Sequence, residues 1–230
     1  MNKANLSHKE KQLALSSLLR RDRNDPGAAE LLTQMMRDED FTIRKRAISI
    51  ADRFLDHPCI HKTLLQIASG SSGRSMLRER CLDQLDPLLD PNSPSVSTTD
   101  CDDQLLYRIK RRVVELVRDP AEDEGLRGKA LRLSAYFLSS DALKKWIMLF
   151  HNRTRKSSRL SAISAMGRSG DPRWRNYIQG FLESDSMEFT CAALEAIAEL
   201  DYRPEEMIAK DKDTYSDTPD TFQETPGIGN

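Results

Sequence analysis

One basic residue recurs along this chain of 230 residues, at intervals of 31 to 34 residues in all but one case. It stands near the start of a helical segment each time, with threonine in the last copy: Arg44, Arg78, Arg127, Arg159 and Thr190. The intervals are 34, 49, 32 and 31 residues. Each copy follows a polar turn and another segment with helical apolar periodicity, so the repeating unit is a pair of helices. One such pair cannot bury its apolar faces alone, and the pattern therefore predicts a stack of pairs around one continuous core.

The clearest copy is the segment 155–173, RKSSRLSAISAMGRSGDPR. Leu160, Ile163 and Met166 recur at helical spacing, and small residues stand between them. Small side chains allow neighbouring helices to approach closely. The stretch 167–170 begins and ends with glycine, and Asp171-Pro172 follows it as the start of the next segment.

The chain divides into an array and flanking segments. We interpret residues 1–26 as an N-terminal helical cap and residues 27–204 as the repeat domain. Residues 90–103 are rich in Pro, Ser, Thr and Asp, which predicts an insertion loop and accounts for the longest interval. Residues 205–230 contain little to bury, so we expect an acidic, disordered tail there.

The units resemble those of the HEAT-repeat family, especially the short bacterial HEAT-like repeats also seen in phycobilisome-lyase proteins. The likeness covers about residues 27–202 and rests on an Asp-containing turn, then Arg, then Ala-x-x-Ala and a terminal Gly. The fullest match comprises Arg159, Ala162, Ala165, Gly167, Gly170, Asp171 and Pro172. Tetratricopeptide repeats are the closest rival, but their Trp/Gly/Tyr/Pro pattern is missing. The expected fold is an all-α, right-handed α-solenoid of about five HEAT-like helical hairpins.

The resemblance also implies a role for the recurring arginines. Each would pair with an Asp of an adjacent unit and so form a structural ladder inside the stack. The residues concerned are Arg44, Arg78, Arg127 and Arg159. A role facing a ligand is the alternative for the same side chains.

The sequence contains no recognisable catalytic motif of the GxSxG, HExxH or P-loop type. The segment 57–61, HPCIH, offers two His and one Cys but no evident fourth metal ligand, so we expect a surface turn there. The four cysteines are widely spaced, as expected for reduced thiols. We predict a protein that is not an enzyme and has neither a metal nor a cofactor.

The location of the protein is predicted from what its sequence lacks. No run of residues approaches the ~18 apolar positions that would span a bilayer. The first residues are charged and have no apolar core of a secretory signal. We therefore expect a cytoplasmic protein without a membrane partner.

Charge is unevenly distributed along the chain. Residues 105–175 contain seventeen Lys and Arg against seven Asp and Glu, although the whole chain has a net charge of −1. Like positions of successive repeats align in a solenoid, so these bases could form a stripe that attracts an acidic surface; an ordinary solvated polar face is the alternative. The candidate partner-binding residues are Arg108, Arg111, Arg112, Lys129, Arg132, Lys144, Lys145, Arg155 and Lys156.

These features favour a non-catalytic scaffold or adaptor that binds a protein partner on the surface of the array, and the basic stripe would favour an acidic one. Binding of a nucleic-acid backbone by the basic stripe is the first alternative. Few aromatic residues stand among these bases, so stacking on nucleobases has little support. Activity as a bilin lyase or chaperone is a further alternative, implied only by the family likeness.

Overall fold

The computed structural model describes residues 6–70, 74–91, 93 and 103–202, and every regular element in these ranges is helical. The α-helices are α1 (His8–Leu18), α2 (Pro26–Met36), α3 (Phe41–Ser49), α4 (Pro58–Ser69), α5 (Ser75–Leu89), α6 (Asp103–Arg118), α7 (Glu124–Ser134), α8 (Ser140–His151), α9 (Lys156–Arg168), α10 (Arg175–Gln179) and α11 (Met187–Tyr202). Two short 3₁₀ helices, Ala51–Phe54 and Pro172–Trp174, follow α3 and precede α10.

Polar turns fix where several helices begin. Asp25, Asp40 and Asp123 accept hydrogen bonds from the first free backbone N–H groups of α2, α3 and α7. These N–H groups have no partner within the helix, and a carboxylate also suits the positive end of the helix dipole. The Asp-containing turns of the sequence therefore act as helix caps.

The helices form two layers. The second helices of the units pack in the order α3, α5, α7, α9 and α11, while α2, α4 and α6 pack in order on the other side. Each second helix also packs against the first helix of its own unit, as α5 does on α4 and α7 on α6. This arrangement confirms the predicted all-α solenoid; its right-handed sense stays a prediction.

The cap predicted at the N-terminus is half of a further unit. Helix α1 packs against both α2 and α3, so it occupies the place of a second helix before the first complete hairpin. Lys11 precedes Arg44 by 33 residues, close to the repeat length. We use the term ladder position for Lys11, Arg44, Arg78, Arg127, Arg159 and Thr190, which are equivalent in the stack.

Packing between second helices follows this register. The residue four positions after the ladder position is a buried aliphatic side chain in four units: Ile48, Leu82, Leu131 and Ile163. Gly167 lies so close to α11 that an added Cβ atom would stand 2.5 Å from the Cα atom of Ala196. Small residues thus allow the close approach that the sequence predicted.

Some predictions extend beyond what the structure describes. Most of the predicted insertion at 90–103 lies outside the described residues, and so does the whole predicted tail at 205–230. Within the described ranges, no helix is both long and apolar enough to cross a membrane.

Candidate protein-binding face

The ladder arginines mainly bind the end of the first helix in their own unit. Arg44 donates to the carbonyl of Asp38 at 3.1 Å, just after α2. The Nε atom of Arg78 donates to the Ala68 carbonyl at 3.0 Å, and Arg127 donates to the Val117 carbonyl at 3.1 and 3.2 Å. Carbonyls at a helix C-terminus lack helical partners and carry partial negative charge, so a cation is favoured there.

One of the four ladder arginines is paired with an acid of the adjacent unit, and that acid is Glu rather than the expected Asp. Arg78 forms two hydrogen bonds of 2.6 Å with Glu122, and these bonds lower the pKa of Glu122. Lys11 makes the equivalent contact with Asp38 at 2.7 Å.

The other ladder arginines have different surroundings. The guanidinium of Arg127 lies near Arg153, and burial followed by this like charge lowers the pKa of Arg127. Arg159 lies 4.7 Å from the ring centroid of Phe189 in the next unit. The ladder is therefore mixed, with carbonyl, carboxylate and aromatic partners.

The predicted basic stripe is divided between the two layers. Arg108, Arg111 and Arg112 lie on α6, and Lys144 and Lys145 lie on α8, both of which are first helices. Two other members, Lys129 and Arg132, lie on the second helix α7. Arg155 precedes α9 and Lys156 begins it. The polar sides of the two layers face opposite ways, so these residues do not form one stripe.

Local acids neutralise much of this charge. Arg111 and Arg112 both pair with Glu115 at 3.0 Å. Arg155 pairs with Glu124 at 3.1 Å, and Lys156 pairs with Glu188. In the described part of the chain, no ion pair involves Arg108, Lys144 or Lys145. The last two lie exposed on the first-helix layer.

A smaller set of bases does line up across the second helices. Arg46, Arg80 and Lys129 each stand two positions after a ladder residue, on α3, α5 and α7. Each reaches back to the preceding second helix: Arg46 to the Ser16 hydroxyl at 3.0 Å, Arg80 to the Ser49 hydroxyl at 3.1 Å, and Lys129 to Asp83. With Arg132, which lies 3.9 Å from Asp83, we call these residues the basic row: Arg46, Arg80, Lys129 and Arg132.

The basic row carries more positive charge than its own contacts neutralise. It contains four cations, and Asp83 is the carboxylate that contacts two of them. Arg46 and Arg80 contact neutral hydroxyls and take part in no ion pair among the described residues. The row lies along the second-helix layer, where α5 and α7 pack against each other more extensively than α4 and α6 do.

Sequence analysis identified half of the basic row. Lys129 and Arg132 were predicted as partner-binding residues, but Arg46 and Arg80 lie outside the basic block 105–175 and were missed. The repeat register of the sequence could have identified both residues, because each follows a ladder arginine by two positions, as Lys129 does. Counting charge by segment hides a row that is built from one position in each unit.

The His/Cys segment at 57–61 forms the start of α4 rather than the expected surface turn, because Pro58 suits the first position of a helix. The His57 ring binds the Arg23 carbonyl at 2.8 Å, whereas His61 is buried. The described residues include no group of three or more His, Cys, Asp or Glu side chains that could hold a metal ion. Elsewhere, burial raises the pKa of the Cys81 thiol to about 12, which makes it an unreactive core residue.

A small cavity of about 150 Å³ lies beside α8. Lys144 and Trp174 contribute to its lining, together with Asp171 and Arg173. Arg173 and Asp171 are paired with each other at 2.7 Å, so this charge is largely satisfied within the protein.

The chain matches no protein-family model, and no curated protein matches it. It is similar to an engineered protein of the Northeast Structural Genomics Consortium, with 15% identity over 86% of this chain and 93% of the other, at a TM-score of 0.49. It is also similar to a designed armadillo repeat protein in complex with the peptide (KR)4, with 14% identity over 86% of this chain and 95% of the other, at a TM-score of 0.38.

Proposed function

We propose that this protein is a non-catalytic scaffold that binds an acidic, extended protein segment across its second helices. The observation that carries the proposal is the basic row, whose cations lie on three successive helices with one shared carboxylate among them. Repeat arrays present extended concave surfaces that suit such ligands. Charge complementarity would supply orientation and a fast association rate.

The spacing of the row specifies the pattern of the ligand. Packed helix axes lie about 9 Å apart, and an extended chain advances about 3.3 Å per residue. About three residues of the ligand would therefore span the distance from one second helix to the next. Acidic side chains at every third position can meet Arg46, Arg80 and Lys129 in turn.

Fluorescence anisotropy with a labelled Glu/Ser peptide tests this proposal. The probe has Glu at every third position, and a second peptide of the same composition has all its Glu residues adjacent. We expect the first peptide to bind more tightly, with an affinity that falls as salt screens the charges. Equal binding of both peptides would contradict the proposed spacing.

Matched variants locate the binding face. The double variant Arg46→Ser/Arg80→Ser removes two cations from the basic row, and Lys144→Ser/Lys145→Ser removes two from α8 on the opposite layer. Each exposed charge contributes about 0.7 kcal/mol, so the first variant should bind about tenfold more weakly. The second variant should bind as the unmodified protein does. Equal losses in both variants would indicate nonspecific attraction by net charge.

The nucleic-acid alternative is tested by repeating the anisotropy measurement with labelled single-stranded DNA. Asp83 stands within the row and would face a continuous phosphate backbone, which disfavours this alternative. If single-stranded DNA binds more tightly than the peptide and the Arg46→Ser/Arg80→Ser variant loses that binding, the row serves nucleic acid and the scaffold proposal fails.

A further inference from the structure

Both ends of the second-helix layer expose apolar side chains. On α11, the last second helix described, Met187 is 80% exposed and Leu194 is 56% exposed. On α1, the first one, Leu13 is 62% exposed. Terminal units of a repeat array normally present a polar outer face, because they have no neighbour to cover them.

The outer face of α11 retains the pattern of an internal second helix. Leu194 stands four positions after Thr190, where Ile48, Leu82, Leu131 and Ile163 are all buried in the other units. Ala198 stands eight positions after Thr190, as Gly167 does after Arg159 at the close contact between α9 and α11. The face of α11 is thus shaped to receive another second helix.

The outer face of α1 has the complementary pattern. Ser17 follows Lys11 by six residues, as Ala196 follows Thr190, and Ala196 is the residue that meets Gly167. Leu13 follows Lys11 by two residues, as Ser161 follows Arg159, and Ser161 is the residue that meets Gly128 of α7. When α1 is placed after α11, the small residue Ser17 therefore faces the small residue Ala198, and Leu13 faces the exposed Cys191.

Charge follows the same register. Nine positions after the ladder residue, α9 carries Arg168 and α11 carries Glu199, and these two side chains lie 3.6 Å apart. The equivalent residue after Lys11 is Arg20, which is exposed. Placing α1 next to α11 would continue the series as cation, anion, cation.

We propose that copies of this chain associate head to tail, with α11 of one copy packed against α1 of the next. The occupant of each exposed end is a second copy, and the contact continues the second-helix layer from one molecule to the next. A two-fold contact between two α11 helices is disfavoured, because each presents the exposed Glu195 beside Leu194, whereas Glu188 and Asp201 are paired with Lys156 and Arg175. A head-to-tail contact uses two different surfaces, so it can add further copies in one direction.

Sedimentation velocity of the full chain tests the association. We expect the average mass to rise with protein concentration above that of the monomer. A mass that stays monomeric at every concentration overturns the proposal and would indicate that another segment, such as residues 203–230, covers α11.

Two single variants distinguish the mode of contact. Leu13→Glu blocks the α1 end, and Leu194→Lys blocks the α11 end. Each variant alone should be monomeric, but an equimolar mixture should form a one-to-one dimer, because each variant keeps one intact end. A two-fold contact through α11 predicts instead that Leu13→Glu still dimerises, and that result overturns the proposal. Both side chains are largely exposed, and far-ultraviolet circular dichroism of each variant confirms that it is folded.

A disulfide provides a second measurement of the register. Cys191 is exposed on α11 and follows Thr190 by one residue, as Gly128 follows Arg127. Since Gly128 meets Ser161, Cys191 should meet position 13 of the next copy. The variant Leu13→Cys should give a ladder of covalent oligomers on mild oxidation, and Leu6→Cys should not. A ladder of equal yield from both variants would overturn the proposed register.

Discussion

At the scale of single residues, Arg78 connects two units and one helix end. Its side chain is almost fully buried, donates to the Ala68 carbonyl and forms two short hydrogen bonds with Glu122. Removing one partner of a buried ion pair leaves the other charge without compensation, which costs more than the pair itself contributes. Substitution of Arg78 is therefore expected to destabilise the fold, although the residue is charged.

We expect the substitution Arg78→Met to lower the free energy of unfolding by about 3 kcal/mol. The control is Arg111→Met, which removes an exposed pair with Glu115 and should cost about 0.5 kcal/mol. Urea unfolding followed by circular dichroism measures both values. Similar losses in the two variants would show that burial of the Arg78 pair has little energetic effect.

His61 makes stability depend on pH. It is 3% exposed, and burial lowers its pKa, with the Leu55 carbonyl and Asp56 opposing the shift and His57 reinforcing it. Above the unfolded-state pKa near 6.5, both states hold a neutral ring and pH has no effect through this residue. Below it, the unfolded state takes up a proton that the folded state excludes, so stability falls as pH falls.

Through His61, the free energy of unfolding should fall by up to about 1.4 kcal/mol for each pH unit below pH 6.5. The substitution His61→Leu should make the unfolding free energy less steep between pH 6.5 and pH 5. His151, whose pKa is also lowered by burial and by Arg159, remains in both proteins and provides a common background. Parallel pH profiles for the two proteins would exclude His61 as a source of the dependence.

At the scale of helices, two glycines mark places where second helices approach each other closely, and the two contacts differ in what an added side chain would meet. An added Cβ atom at Gly167 would meet the Ala196 backbone, with its carbonyl oxygen at 2.7 Å. The same addition at Gly128 would meet the Ser161 hydroxyl at 2.5 Å. A hydroxyl can rotate away, whereas backbone can move only if the whole of α11 shifts.

We expect Gly167→Ala to destabilise the protein by about 2 kcal/mol, since α11 must move outward. Gly128→Ala should cost less than about 1 kcal/mol, because the higher helix propensity of Ala offsets part of the strain. Thermal unfolding of the two variants compares them directly. A larger loss at Gly128 would contradict the assignment of Gly167 as the closest helix contact.

At the scale of the whole molecule, Arg168 connects units that are not neighbours in sequence. It contacts both carboxylate oxygens of Asp86 on α5 at 2.8 Å and lies near Glu199 on α11, while its guanidinium lies 5.2 Å from the Tyr136 ring centroid. Burial by itself would lower the pKa of Arg168, but Asp86, Tyr136 and Glu199 together outweigh burial and raise it. This contact couples the two halves of an array whose other contacts join mainly adjacent units.

The substitution Arg168→Met should therefore uncouple the C-terminal units. Both tryptophans, Trp146 and Trp174, lie in those units, so their fluorescence should change at lower urea concentration than circular dichroism. In the unmodified protein the two transitions should coincide. The control Arg175→Met removes an exposed pair with Asp201 and should leave them coincident. Coincident transitions in Arg168→Met would mean that the apolar core alone maintains cooperativity.

The sequence by itself determined the architecture, because local patterns of residues specify the helical repeat. Apolar spacing, Asp at the turns and small residues within the second helices act over a few residues or between equivalent positions. The register extends to Lys11 and to the aliphatic position represented by Leu194 once the structure places α1 beside α3. Helix pairing and the order of stacking could therefore be predicted before any coordinates.

Only the tertiary structure decided which charges share a surface. Lys144 and Lys129 belong to the same basic block of the sequence but lie on opposite layers, while Arg46 and Lys129, 83 residues apart, lie in one row. It also decided that Arg78 pairs with Glu122, whereas Arg127 binds a carbonyl and has Arg153 nearby. Charge interactions depend on distances between side chains of different units, and these distances are set by stacking rather than by neighbours in the sequence.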